Sequence, residues 1–397
     1  MENWIGIEKE YYMPTFKRFP VTLVKGRGNT VWDDSGKEYL DLVAGWAVNS
    51  LGHCHPVVVE AVCRQAAELI HTSNSYYTVP QLELARLLVE NSCLDKVFCC
   101  NSGTEATEGA VKLARRYGHK HLGGAYEVIT ALGSFHGRTL AMVSASGQTK
   151  HQQPYTPLPS GFANVEFNNI DALKAATTEN TCAVMLEPVQ GEGGVNLADA
   201  GYLKQVRRWC DEKGILLILD EIQTGIGRCG SMFAYEVYGI EPDILTLAKG
   251  MGSGIAVGAI LAKNHASVFG VGEHGSTFGG NPLACEAARA VISYIIQNDL
   301  SRHAADMGKL LHDGLAGLVE EFDCVKATKG LGLLQALSFE TEIADKVVLD
   351  CLREGLLVNR LKPDAVRFMP ALIITPDELY RALDILRRVL KAIQYAG

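Results

Sequence analysis

Apolar residues fall into two kinds of run along this chain, and the contrast predicts its architecture. Short uniform runs at 97–100, 126–131, 183–186, 215–219, 244–247 and 257–262 are too brief for helices and carry no polar face. They read as strands buried on both sides, as in a mostly parallel sheet. Longer stretches at 56–69, 80–89, 104 onward, 202–212 and 282–297 repeat apolar positions at helical spacing, several of them opening on proline. Mixing the two kinds predicts an α/β fold with helices flanking a central sheet. Residues 20–44 alternate apolar pieces with Gly and Asp-Asp-Ser-Gly turns, which predicts a small meander of strands. The helix at 282–297 leads into a second domain, where 330–337, 343–354 and 376–393 alternate strand and helix patterns.

Composition narrows the class of partner. The 397 residues are 47% hydrophobic and 21% charged, enough for a large core in two or three domains. A net charge of -8 argues against nucleic acid or an anionic membrane, leaving a small-molecule site as the default. Eleven cysteines, an odd number without paired zinc-like spacing, make a poor disulfide framework and fit a reducing cytoplasm. The opening segment, with Glu2, Glu8 and Glu10, lacks the apolar core of a signal peptide. No run approaches the ~18 apolar residues of a membrane span.

Candidate chemistry gathers where strands end. Two of the apolar runs finish on a single ionisable residue, Asp220 and Lys249. Ligands of parallel sheets sit beyond the carboxyl ends of the strands. A carboxylate and an amine delivered there can hold opposite ends of one aromatic cofactor, the amine through a Schiff base and the carboxylate beside a ring nitrogen. Pyridoxal phosphate fits that description; a solvated strand end is the plainer reading of the lysine. Asn101-Ser102-Gly103 followed by a helix from Thr104 is equally a phosphate cradle or a helix capped by Ser102 or Thr104 with Glu105 in its first turn. In GSFHGRT, Phe135 can lie on a cofactor ring and Arg138 can clamp a carboxylate, or they are a core phenylalanine and a surface arginine. Glu187 and Glu192 of EPVQGEGGV reach the same edge. His53-Cys54-His55 reads as a turn before a helix rather than a metal site. Gly225–Gly230 matches GxGxxG, the mark of a dinucleotide-dependent oxidoreductase, yet Asp220–Thr224 separate it from its strand and no helix opens after it.

Taken together, NSGTEA at 101–106, SFHGRT at 134–139, EPVQGEGGV at 187–195, LDEIQTGIGR at 219–228, LAKG at 247–250 and HGSTFGGNPLA at 275–285 resemble the class III pyridoxal-phosphate aminotransferases. The likeness extends from LVKGRGNTVWDDSGKEYLDLVAGWAVNSLGHCHP near the front to VRFMPALII near the end. It implies a fold type I homodimer with a large cofactor domain at 51–290 and a smaller α/β domain from both chain ends, 1–50 and 291–397. It also implies transfer of the terminal amine of N2-acetyl-L-ornithine to 2-oxoglutarate, with succinylornithine, succinyl-diaminopimelate, free ornithine and 4-aminobutyrate as alternatives.

Position by position, the resemblance makes Lys249 the Schiff-base lysine and Asp220 the partner of the ring nitrogen. It places Gln223 on the ring 3-oxygen, with Glu221 and Ile222 beside it, Phe135 on the ring face, and Gly103 and Thr104 on the phosphate. Thr277, with Ser276 next to it, would reach in from the partner subunit. Arg138 would grip the acylated substrate's α-carboxylate and Arg367 that of glutamate, with Glu192 neutralising Arg367 in the first half-reaction. Two positions depart from the pattern: Ala256, where many relatives have Pro, and Phe16, where enzymes using free ornithine carry Tyr. A phenyl ring offers no hydroxyl to a polar α-amine, which favours an acylated donor.

Overall fold

The computed structural model describes residues 4–395; Glu2 and the outer ends of the first and last expected segments lie outside the described residues. The meander forms as its turns predict. Strands β1 (Leu23–Arg27), β2 (Thr30–Asp33) and β3 (Glu38–Asp41) pair antiparallel in that order. Asp33 builds the turn between the last two by accepting from the backbone N–H of Ser35 and of Lys37, each at 2.9 Å.

The central sheet contains β4 (Lys96–Cys100), β5 (Glu127–Ala131), β6 (Phe162–Val165) and β7 (Thr181–Leu186). After a short hairpin of β8 (Val189–Gln190) and β9 (Asn196–Leu197), it continues with β10 (Leu216–Asp220), β11 (Ile244–Leu247) and β12 (Gly258–Ala262). Their order is β4-β12-β11-β10-β7-β5-β6, and only β12 runs antiparallel to its neighbours. Every residue of β7, β10, β11 and β12 is buried, so no polar face survives in their sequence. Because the other six strands are parallel, their carboxyl ends share one edge with the start of β12. That edge collects the chemistry. Edge strand β6 escaped sequence reading because its four residues, FANV, carry no periodic signal.

The chain then builds β13 (Val325–Leu331), β14 (Leu334–Phe339), β15 (Leu356–Leu357), β16 (Asn359–Lys362) and β17 (Ala365–Phe368). Four of these form an antiparallel sheet ordered β13-β14-β17-β16, while β15 pairs in parallel with β3. Both ends of the chain therefore share a sheet. Two expectations fail here. The apolar pattern at 330–337 is not one strand: Gly332 and Leu333 turn the chain between β13 and β14, with Gly332 at φ +53°. The 22-residue helix Leu300–Glu321 was not expected at all, because its glycines interrupt the helical pattern. Gly308 has a packing reason: a Cβ there would stand 2.3 Å from the Gly332 carbonyl oxygen, so helix and hairpin turn meet backbone to backbone.

Candidate active site

A cavity of about 510 Å³ opens at the shared strand edge, and both Asp220 and Lys249 line it. Around them stand Gly103, Thr104, Phe135, Arg138, Glu192, Ile222 and Gln223, so most of the residues expected at one site are brought to one site.

The turn after β4 forms the capped helix start and leaves room for the phosphate reading. Ser102 caps the helix Gly103–His121, its hydroxyl accepting from Glu105 N–H at 3.2 Å, and Glu105 accepts from Asn101 N–H at 2.6 Å. First-turn N–H groups have no carbonyl four residues back, so those of Gly103 and Thr104 remain available to an anion. Thr104 Oγ1 accepts from Arg138 N–H at 2.9 Å, which ties the Phe135–Arg138 loop to the helix start. Gly137, at φ +135°, makes this possible: a Cβ there would lie 1.8 Å from that hydroxyl oxygen.

Asp220 is held from three sides. Its carboxylate accepts from Ile222 N–H at 3.1 Å and the Thr246 hydroxyl at 3.2 Å, and pairs with His136 Nδ1 at 2.8 Å. Burial opposes charging His136, but the bond to Asp220 and the charges of Asp220 and Glu187 outweigh it and raise the imidazole's pKa. The carboxylate thus arrives fixed and oriented. His136 is the functional residue that sequence reading passed over. Its signal was visible, a histidine between Phe135 and Arg138, but its partner lies 84 residues away.

Lys249 follows β11 in a left-handed conformation, φ +36°, the kind of backbone strain that functional sites store. It is accessible only through the cavity. Burial lowers the amine's pKa, opposed mainly by Glu192, which enlarges the neutral, nucleophilic fraction.

Arg367 comes from β17 and is 1% exposed. It donates to the Gly191 carbonyl at 2.9 Å, to Gln223 Oε1 at 3.1 Å and to Asn359 Oδ1 at 2.9 and 3.1 Å. Its Nη2 also lies 2.9 Å from Glu192 Oε1. Burial by itself raises Glu192, but Arg367 and then Lys249 hold the carboxyl below its usual range. Gln223 bridges the pair, its Nε2 donating to Glu192 at 3.4 Å. Arg138 is the freer arginine, exposed at the mouth with its guanidinium 5.4 Å from the centre of the Phe135 ring.

Four expected positions lie outside this chain's cavity lining, among them Thr277, which was expected to serve the partner's site instead. Glu221 turns away from the cavity and accepts from Ala234 and Tyr235 N–H at 2.6 and 2.7 Å, capping the helix Ala234–Tyr238. Consecutive side chains leave a strand on opposite faces, so Asp220 and Glu221 cannot both face the ligand. Ser276 Oγ accepts within its own chain from Asn101 Nδ2 at 3.1 Å and Gly279 N–H at 2.9 Å. Thr277 is exposed outside this chain's cavity lining. Phe16 is 54% exposed, packs under Arg18 and does not line this chain's cavity. Ala256 is on the cavity rim. The Gly225–Gly230 loop packs on the C-terminal part, where Arg228 donates to the Leu333 and Pro370 carbonyls, and it opens no helix.

A family model for class-III aminotransferases matches residues 11–390. The chain belongs to that family. Acetylornithine aminotransferase of Caldanaerobacter subterraneus subsp. tengcongensis is 50% identical over 392 residues, covering 98% of this chain and all of that one. The enzyme of the same name from Methanocaldococcus jannaschii is 50% identical over 388 residues, covering 96% and 97%. Among solved structures, Toxoplasma gondii ornithine aminotransferase superposes with a TM-score of 0.96 at 33% identity, covering 99% and 96% of the two chains. Acetylornithine aminotransferase of Elizabethkingia anophelis gives 0.87 at 34% identity, with 98% of both covered. As a class-III aminotransferase the chain is a pyridoxal-phosphate enzyme. Its cavity suits that cofactor: the free first-turn N–H groups of a helix for a phosphate, an anchored carboxylate for a ring nitrogen, an aromatic side chain and a buried primary amine meet in one space.

Proposed function

We propose that this chain transfers the terminal amino group of N2-acetyl-L-ornithine to 2-oxoglutarate, a step of arginine biosynthesis. The observation that carries the reading is the Glu192–Arg367 pair beside the open Arg138, supported by the full-length likeness to acetylornithine aminotransferases. Such an enzyme must accept an amine at the end of one substrate and an α-amine on the next. With Glu192 against it, Arg367 presents no net charge to the first donor, whose carboxylate Arg138 grips. Glutamate's α-carboxylate then displaces Glu192, which is one-third exposed and free to swing outward. A bidentate carboxylate replaces what the broken pair loses.

Gly103 and Thr104 would hold the cofactor's phosphate, Phe135 its ring face, Asp220 the ring nitrogen, with Ile222 and Gln223 alongside. When bound, pyridoxal phosphate supplies an electron sink that lets a proton leave the carbon bearing the amine. Lys249 Nζ takes that proton and gives it up again, a task that needs the neutral amine favoured by burial. His136 fixes the direction of the Asp220 carboxylate.

The test is a panel of acetylornithine, succinylornithine, succinyl-diaminopimelate, ornithine and 4-aminobutyrate assayed with 2-oxoglutarate. Acetylornithine should show the highest kcat/KM. A higher value for ornithine or 4-aminobutyrate defeats the substrate named here and leaves the reaction class standing.

The same reading makes the molecule a cytoplasmic homodimer, with a large cofactor domain at 51–290 and a small one from the flanking segments. Thr277 and Phe278 would cross to the partner's site from a surface that also exposes Tyr76, Tyr77 and Val79. Asn74 ties the two segments by donating to the Ser276 and Gly279 carbonyls at 3.0 and 2.9 Å. Sedimentation equilibrium should give twice the chain mass, and Thr277→Ala should weaken cofactor binding about tenfold, the loss of one charge-assisted hydrogen bond. A fully active monomer contradicts this assembly.

A further inference from the structure

Glu187 follows β7 into the cavity wall and has no part in the reaction as described so far. Its carboxylate is 7% exposed and is shared between two loops. Oε2 accepts from Phe135 N–H at 3.0 Å, 52 residues away in sequence, and Oε1 from Gly191 N–H at 3.3 Å. The first loop presents Phe135 and Arg138. The second presents Glu192, and its Gly191 carbonyl receives Arg367 Nη1 at 2.9 Å. One buried carboxylate thus links the backbone behind the first substrate's arginine to the backbone behind the second's.

Resting on the reaction proposed above, we infer that Glu187 is a positioning residue: it clamps the Phe135–Arg138 loop to the Gly191–Glu192 turn, so that the groups meeting the two substrates are held by one carboxylate. Its surroundings make the clamp respond to pH. The charged groups facing it are His136, Asp220 and Lys249. Burial pushes its carboxyl up to about 7, so the clamp has both acceptor oxygens above that pH and loses one as pH falls through it. Lys249 feels the resulting charge, which raises its own pKa against burial.

Two variants of the cofactor-loaded full-length chain test this. Glu187→Gln keeps the size but offers one acceptor and no charge. Its KM should rise about tenfold for both acetylornithine and 2-oxoglutarate, as expected for one lost hydrogen bond to a charged group, with kcat changing less. The pH midpoint of the bound cofactor's absorbance should fall by about one unit. Glu187→Asp keeps the charge on a shorter stem, so KM should rise while the midpoint stays. Should the Gln variant fail to fold, the Asp variant decides by its KM. Wild-type KM values in both variants, or an unchanged midpoint in Glu187→Gln, overturn the inference alone. A wild-type cofactor band that does not change with pH also overturns the inference alone, whereas a wild-type protein that transfers no amine to 2-oxoglutarate overturns the reaction and, with it, the inference.

Discussion

Lys249→Ala transaminates about 10⁴-fold more slowly than the wild type, the upper end of what one positioned proton-transferring group contributes. The cavity itself survives, because Asp220, the helix start at Gly103 and the Phe135 loop are held by bonds that do not involve Lys249. What disappears is the only lysine lining the cavity among the described residues. Borohydride should fix pyridoxal phosphate to the wild-type chain at residue 249 and leave the variant unlabelled by mass spectrometry. Lys249→Arg should fare no better, since a guanidinium stays protonated and cannot accept the substrate's proton. An alanine variant within about a hundredfold of wild-type turnover would show that another group moves the proton.

Asp220→Asn comes second, with kcat lower by about 10³-fold, in line with loss of a preorganised electrostatic partner. The substitution preserves shape, and the bonds from Ile222 N–H and the Thr246 hydroxyl can persist. Charge is what changes. Without the carboxylate, the bond and the charge that chiefly hold the His136 pKa up against burial are lost, and with them the charge that would favour a protonated ring nitrogen. Cofactor affinity, measured by fluorescence titration, should weaken alongside kcat. A variant within tenfold of the wild type in both would remove Asp220 from the site.

These two residues were also the most legible in the sequence. Parallel strands buried on both faces tolerate no polar residue within them, so a lone charge at the end of such a run has few places to be except the ligand edge. The same logic found Glu187 and Glu192. It could not find His136, whose importance depends on a contact spanning 84 positions. It also misplaced Glu221, because a quoted run of residues carries no statement of which face each side chain takes. Nor could it show that the Ser276 hydroxyl accepts from Asn101 and Gly279 of its own chain.

By itself, the sequence determined the α/β class, most of the central strands, the clustering of chemistry at their ends and, through motifs along the chain, the class-III family. Only tertiary structure decided that Arg367 meets Glu192 across the junction of the chain's two halves, that Asn359 steadies it, and that a 22-residue helix packs its Gly308 on a hairpin turn. The division has a physical cause. Burial on both faces is a property of each strand's own residues and leaves a local record, whereas a side chain's partner is chosen by whichever distant segment packs against it.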